Sequence, residues 1–134
     1  MIYVLIPFLS WCIAGCLKFV INCLRFGRKA KSMIGYGGFP STHTTIMSSV
    51  VFFAGFKEGF TTPLFSIGLG ALLVLVIDAH GLRRKVGEQA KILNELQDDI
   101  ALRESMGHSW GEIFGGLILG IAIAYWSSIL SGEI

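Results

Sequence analysis

Long stretches almost free of charge dominate the chain, and they restrict it to a fold whose outer surface meets hydrocarbon rather than water. Four such windows can be drawn: about Tyr3 to Leu24, Thr44 to Phe60, Pro63 to Ala79 and Gly111 to Leu130. A hydrocarbon core of about 30 Å needs roughly 20 helical residues. The second and third windows are short by that measure and are expected to be shielded by the others or to run past their apolar ends. Of 134 residues, 53% are hydrophobic and 15% charged, and the mean hydropathy is +0.67; a water-soluble domain of this size carries more polar surface. The expected fold is all-α, a single domain over residues 1–134 built as an integral membrane bundle of four transmembrane helices.

The first window does not read as a cleaved leader. No basic cluster precedes it, its apolar run exceeds the usual roughly 7–15 residues, and Lys18 lies inside it. A retained helix is expected. Its three cysteines, Cys12, Cys16 and Cys23, share one helical stripe, which suits helix packing better than a disulfide framework or a zinc site.

The connections differ in kind. Thr61-Thr62-Pro63 is a tight turn with proline at a helix start. Arg25 to His43 contains Gly27, Gly35, Gly37, Gly38 and Pro40 and reads as a loop. Between Gly81 and His108, Val86, Ala90, Leu93, Leu96 and Ile100 recur at helical spacing among charged residues. That predicts an amphipathic surface helix between the third and fourth spans, lying on the membrane or solvated beside the bundle. Arg25, Arg28, Lys29 and Lys31 in one long connection, and Arg83, Arg84, Lys85, Lys91 and Arg103 in the other, fall on one side of a four-span topology. The positive-inside rule makes that side the cytoplasm.

Polar residues within or at the ends of spanning helices are costly and become candidates for function. Lys18, Asn22 and Arg25 form one stripe, read either as snorkelling to headgroups or as part of a site. Gly37 to His43 leads into the second helix, with Pro40, Ser41 and Thr42 placed to start and cap it. A helix N-terminus of this kind serves as a plain cap or as an anion site, with His43 in reach to move a proton. His108 and Glu112, four apart, share a face, so the carboxylate can hold one imidazole nitrogen and leave the other free to attack. Arg83 and Arg84 follow the third helix as phosphoryl clamps or headgroup anchors, with Asp78 a partner for one of them and Arg103 a competitor.

Assembled, these pieces resemble the type-2 phosphatidic acid phosphatase superfamily, which includes the vanadium haloperoxidases. Lys18 and Arg25 keep the spacing of its K-x6-R-P motif with Phe26 in place of proline, Pro40-Ser41-Thr42-His43 parallels P-S-G-H, and His108-x3-Glu112 parallels the end of S-R-x5-H-x3-D. Arg103 lies one residue closer to the histidine than that last motif asks. The chain is most similar to a divergent bacterial and plant branch, patterned G-G-x-P-S-[ST]-H, then D-A-x-G-x-R-R-x-x-G-x-Q-A, then L-G-H-x-x-x-E-[VI]-x-x-G. Gly37 to His43, Asp78 to Ala90 and Met106 to Gly116 follow it in order.

The resemblance implies a lipid phosphatase. His108 would attack phosphorus to form a phosphohistidine, with Glu112 orienting it. His43 would protonate the leaving group and then activate water. Lys18, Arg25, Ser41, Thr42 and an arginine, Arg84 ahead of Arg83, would bind the phosphoryl oxygens. No metal or other cofactor is implied, because fixed cations take that place, and no Asp/Asn cluster is available to hold one. The implied partners are a lipid phosphate substrate and membrane lipids, not nucleic acid. Phosphatidylglycerophosphate is the preferred substrate; phosphatidate, phosphatidylinositol phosphate and isoprenyl pyrophosphate are alternatives. Haloperoxidase chemistry and a non-catalytic scaffold are the competing classes. Gly115, Gly116, Gly120 and Ala122 would allow close approach of another helix, from which a homodimer is expected.

Overall fold

The computed structural model describes residues 2–27, 38–96 and 101–132. Among them lie five helices: α1 (Ile2–Phe26), α2 (Thr42–Glu58), α3 (Pro63–His80), α4 (Leu82–Leu96) and α5 (Trp110–Leu130). Three helical runs are long and apolar enough to cross a membrane: Ile2–Arg25, Pro63–Leu96 and Trp110–Leu130. The fourth span expected over Thr44 to Phe60 exists as a helix, α2. Its 17 residues rise only about 25 Å at ~1.5 Å per residue, and it stands outside that set. Most of the long basic connection, and Ile100 of the amphipathic pattern, fall outside the described residues.

Among the four helices that correspond to the apolar windows, the least apolar, α2, takes the most protected place. α2 packs against α5, α1 and α3, and Thr44, Thr45, Ser48 and Ser49 on it are all buried. These hydroxyls bond mainly to carbonyls of their own helix turn, with α1 adding a partner for Ser49. Thr45 Oγ1 donates to the Ser41 carbonyl at 2.9 Å, Ser48 Oγ to the Thr44 carbonyl at 2.7 Å, and Ser10 Oγ of α1 lies 2.6 Å from Ser49 Oγ. At the far end of the bundle Ile6, Phe53 and Ala124 form the apolar core, and Tyr3 donates to the Glu58 carboxylate at 2.6 Å.

The glycines of α5 make the central contact possible. A Cβ at Gly116 would stand 2.6 Å from the Ser41 carbonyl oxygen, and one at Gly120 would meet Ser48 Oγ and stand 2.6 Å from the Thr45 carbonyl oxygen. The close approach expected of this small-residue face therefore happens within the chain, against α2. Gly115 covers the ring of Phe39, and Ala122 is exposed. Cys12 and Cys16 are also exposed, so they line the outer face of α1 and do not pack the bundle.

α3 carries Ile67, Leu73, Val74 and Ile77 exposed, as a helix bathed in lipid would. After one residue, Gly81, the chain turns into α4. Leu82, Val86, Leu93 and Leu96 lie exposed along one stripe of that helix, while Gly87 and Ala90 are buried on another side. The amphipathic helix is thus present, ending its described course at Leu96. From residue 101 the chain returns as a strap along α4. The Asn94 amide receives the Leu102 N–H at 2.8 Å and donates to the Leu102 carbonyl and to Glu104 Oε1, each at 2.8 Å.

Candidate active site

One end of the bundle collects the chemistry. The C-terminal part of α1, the start of α2, the end of α3 with the start of α4, and the start of α5 all meet there, because successive long helices run in opposite directions.

His108 is the best-held of these groups. Ser109 caps α5, accepting the Glu112 N–H at 3.3 Å, while the Glu112 carboxylate accepts the Ser109 N–H at 2.9 Å. This reciprocal capping box is written in the sequence as Ser109-x-x-Glu112. It locks the carboxylate in place, and the same Oε2 lies 3.2 Å from His108 Nδ1. A carboxylate there takes an N–H, so Nδ1 carries the proton and Nε2 keeps its lone pair. His108 is buried. Burial pushes its pKa below the ordinary histidine value, and the Glu112 hydrogen bond and charge only partly offset that. Gly107 delivers the residue with φ +82°, in a space where a Cβ would stand 3.0 Å from the Ala79 carbonyl oxygen and closer still to Arg84.

His43 comes from the second position of α2. Ser41 is the cap, accepting the Thr44 N–H at 3.4 Å and the Thr44 hydroxyl at 2.9 Å. Ser41 is fully buried, so its hydroxyl serves the helix start, and Thr42 opens the first turn beside it. The main-chain N–H groups of Thr42 and His43 belong to the set a helix cannot satisfy internally. The rings of His43 and His108 stand 6.5 Å apart between centroids, tilted by 55°. Near-attack contacts run about 3–3.5 Å, so a phosphoryl group between the two rings would be within reach of both.

Cations surround this gap unevenly. Lys18 is half-buried and interacts electrostatically with Glu112, His43 and His108. Arg83 acts on both imidazoles, and its Nε donates to Asp78 Oδ2 at 2.6 Å, which steadies the guanidinium. Arg84, preferred from the sequence, instead lays its Cγ and backbone along Gly107 and acts on Glu88. Arg103 reaches the Ser105 carbonyl at 3.2 Å and contributes to the field at Lys18. Arg25 is exposed at the end of α1. Asn22, one turn beyond Lys18, is buried, with its Oδ1 facing Gly38 of the glycine-rich approach.

Sequence reasoning passed over His80. The Ala79 carbonyl accepts the His108 N–H at 3.0 Å, and His80 Nδ1 lies 3.2 Å from the His108 carbonyl oxygen. The His80 ring also rests on Trp110, 4.4 Å between centroids at 33°. Its position between Asp78 and Arg83 was the available signal. Among the described residues, no group of three His, Cys, Asp or Glu side chains is arranged to hold a metal ion.

Comparison with known proteins bears on the family of the chain. An uncharacterized membrane protein of Bacillus subtilis (strain 168), YuiD, is 27% identical over 107 residues, covering 65% of this chain and 68% of its own. No solved structure matches. The family described as "Divergent PAP2 family" matches residues 2–123, nearly the whole chain. The chain is therefore a membrane protein that belongs to the Divergent PAP2 family.

Proposed function

We propose that the protein is a membrane lipid phosphatase that hydrolyses a phosphomonoester through a phosphohistidine on His108. The observation that carries this reading is the 6.5 Å pairing of the His43 and His108 rings, with Glu112 at His108 Nδ1 and Arg83 acting on both rings.

In the first step, His108 Nε2 forms a bond to phosphorus as the bond from phosphorus to the lipid alkoxide breaks. The leaving oxygen takes its proton from His43. Glu112 holds the Nδ1 proton and balances the charge that His108 gains. Lys18, Arg83 and the first-turn N–H groups of α2 stabilise the equatorial oxygens as charge builds on them, with Arg25 at the rim. In the second step His43, now neutral, takes a proton from water as that water attacks phosphorus. The P–N bond breaks, phosphate leaves, and both imidazoles return to their starting state.

The setting favours an amphiphilic substrate. Trp110 and Trp126 lie 16 positions apart on α5, about 24 Å at ~1.5 Å rise, as residues at two membrane interfaces do. The site sits at the Trp110 end. A lipid would keep its tails in the bilayer while its head reaches the basic end, taken here as the cytoplasmic one. Phosphatidylglycerophosphate, a monoester on that leaflet, is the preferred substrate, ahead of phosphatidate and isoprenyl pyrophosphate.

The test is phosphate release from purified protein against a panel of lipid phosphates, with and without chelator, beside His108→Ala. Release that survives chelation and vanishes in the variant is expected, with inhibition by vanadate as a five-coordinate mimic. No release from any lipid phosphate overturns the reading, and release from the others but not phosphatidylglycerophosphate overturns the substrate.

A further inference from the structure

We infer that His80 is a positioning residue for the reaction, holding the peptide of His108 so that its imidazole meets the phosphoryl group clamped by Arg83. This inference rests on the phosphatase reading above.

The geometry is that of a two-point clamp. The His108 N–H is held by the Ala79 carbonyl at 3.0 Å, and the His108 carbonyl oxygen lies 3.2 Å from His80 Nδ1. Consecutive residues at the end of α3 therefore grip both polar groups of the residue that carries the nucleophile. A carbonyl oxygen only accepts, so His80 Nδ1 must be the protonated nitrogen of that ring. The ring is kept in place by Trp110, 4.4 Å away, the first residue of α5. A side chain that links the end of α3 to the start of α5 would set the spacing of Arg83, just after α3, and His108, just before α5.

The need for such a device follows from the local chain. His108 follows Gly107, which has positive φ, and lies at the end of a strap with no regular structure from residue 101. The Glu112 carboxylate controls the ring's rotation through Nδ1 and accepts the Ser109 N–H that follows the His108 carbonyl, but it leaves the His108 N–H and carbonyl oxygen themselves unheld. Ala79 and His80 take those two groups. Misplacing a reacting group by 1 Å can cost about 10²-fold in rate, which makes backbone position a catalytic variable.

The experiment compares His80→Leu, which removes the donor, with His80→Asn, whose side-chain amide can restore it. The substrate is a dispersed lipid phosphate that the wild type turns over. His80→Leu should lower kcat by roughly 10- to 100-fold with KM within about twofold, since the phosphate-binding cations are untouched. His80→Asn should recover most of that loss. Equal activity in all three proteins overturns the inference, as does equal loss in both variants, which would mean that ring stacking alone matters. A second measurement is independent of turnover. The 15N spectrum of histidine-labelled protein in nanodiscs should show His80 as the Nδ1–H tautomer, and an Nε2–H tautomer refutes the clamp. If the wild type releases no phosphate while the Nδ1–H tautomer is present, the phosphatase reading fails and takes the catalytic role with it, leaving only a structural clamp.

Discussion

Ser41 donates its backbone N–H to the main-chain carbonyl of Glu112 at 2.9 Å. Glu112 also holds His108 Nδ1 through its carboxylate. One residue therefore ties the start of α2, two positions before His43, to the side chain of the candidate nucleophile. The separation of the two imidazoles is held through this short path, at the point where α2 meets α5.

Replacing Glu112 with glutamine keeps the backbone tie and removes the charge. The carboxylate's hydrogen bond and charge raise the His108 pKa against the larger lowering by burial, so their loss lets it fall further. His108 must be neutral to attack, and the acid limb of kcat/KM should move to lower pH in Glu112→Gln. The plateau should drop by about 10²- to 10⁴-fold, because the developing imidazolium loses its counter-charge. A pH–rate profile of both proteins checks the sign; an acid limb displaced upward would contradict it.

The two histidines should fail differently. His108→Ala should form no phosphoenzyme with any substrate. His43→Ala should lose about 10²- to 10⁴-fold on a lipid alkyl phosphate but far less in the first step on an aryl phosphate, whose leaving group needs no proton. Acid-labile labelling of the protein by a radioactive aryl phosphate, followed over time, distinguishes them.

Arg83 and Arg84 are neighbours in sequence with different surroundings. Arg83→Ala should reduce kcat/KM by about 10²- to 10³-fold, the usual loss for a donor to developing oxyanion charge. Arg84→Ala should cost less than about tenfold, since its chain lies along Gly107. Steady-state kinetics on the pair decides this, and a larger loss in Arg84→Ala would restore the preference drawn from sequence.

Gly120 tests the packing beneath the site. A valine there would collide with Ser48 Oγ and the Thr45 carbonyl, at an overpacking cost of about 1–3 kcal/mol. Gly70, whose Cβ direction is open, should accept alanine with little change. Thermal unfolding of the two variants in the same detergent should show a clear fall in Tm only for Gly120→Val.

Much of this was legible in residues 37–43, 78–90 and 106–116, because their glycines, caps and charges occur at spacings that local geometry demands. The helices, the Pro63 start, the amphipathic stripe of α4 and the His108–Glu112 pair all follow from rules acting within a few residues. The membrane class follows from composition, since the apolar residues outnumber what any core of this size could hide.

Which surfaces face one another was decided by tertiary packing. Arg83 and Arg84 have the same chemistry in sequence, and only the turn at Gly81 and the return of the strap past Gly107 set them in different surroundings. The glycine face of α5 offers close approach to any helix; within the chain it is α2 that lies against Gly116 and Gly120, where bare backbone leaves room for Ser41, Thr45 and Ser48. His80 carried only the signal of its place between Asp78 and Arg83, for its contact is with a carbonyl 28 residues away. Local physics is written along the chain, but a contact between distant segments depends on how whole helices satisfy their polar groups together.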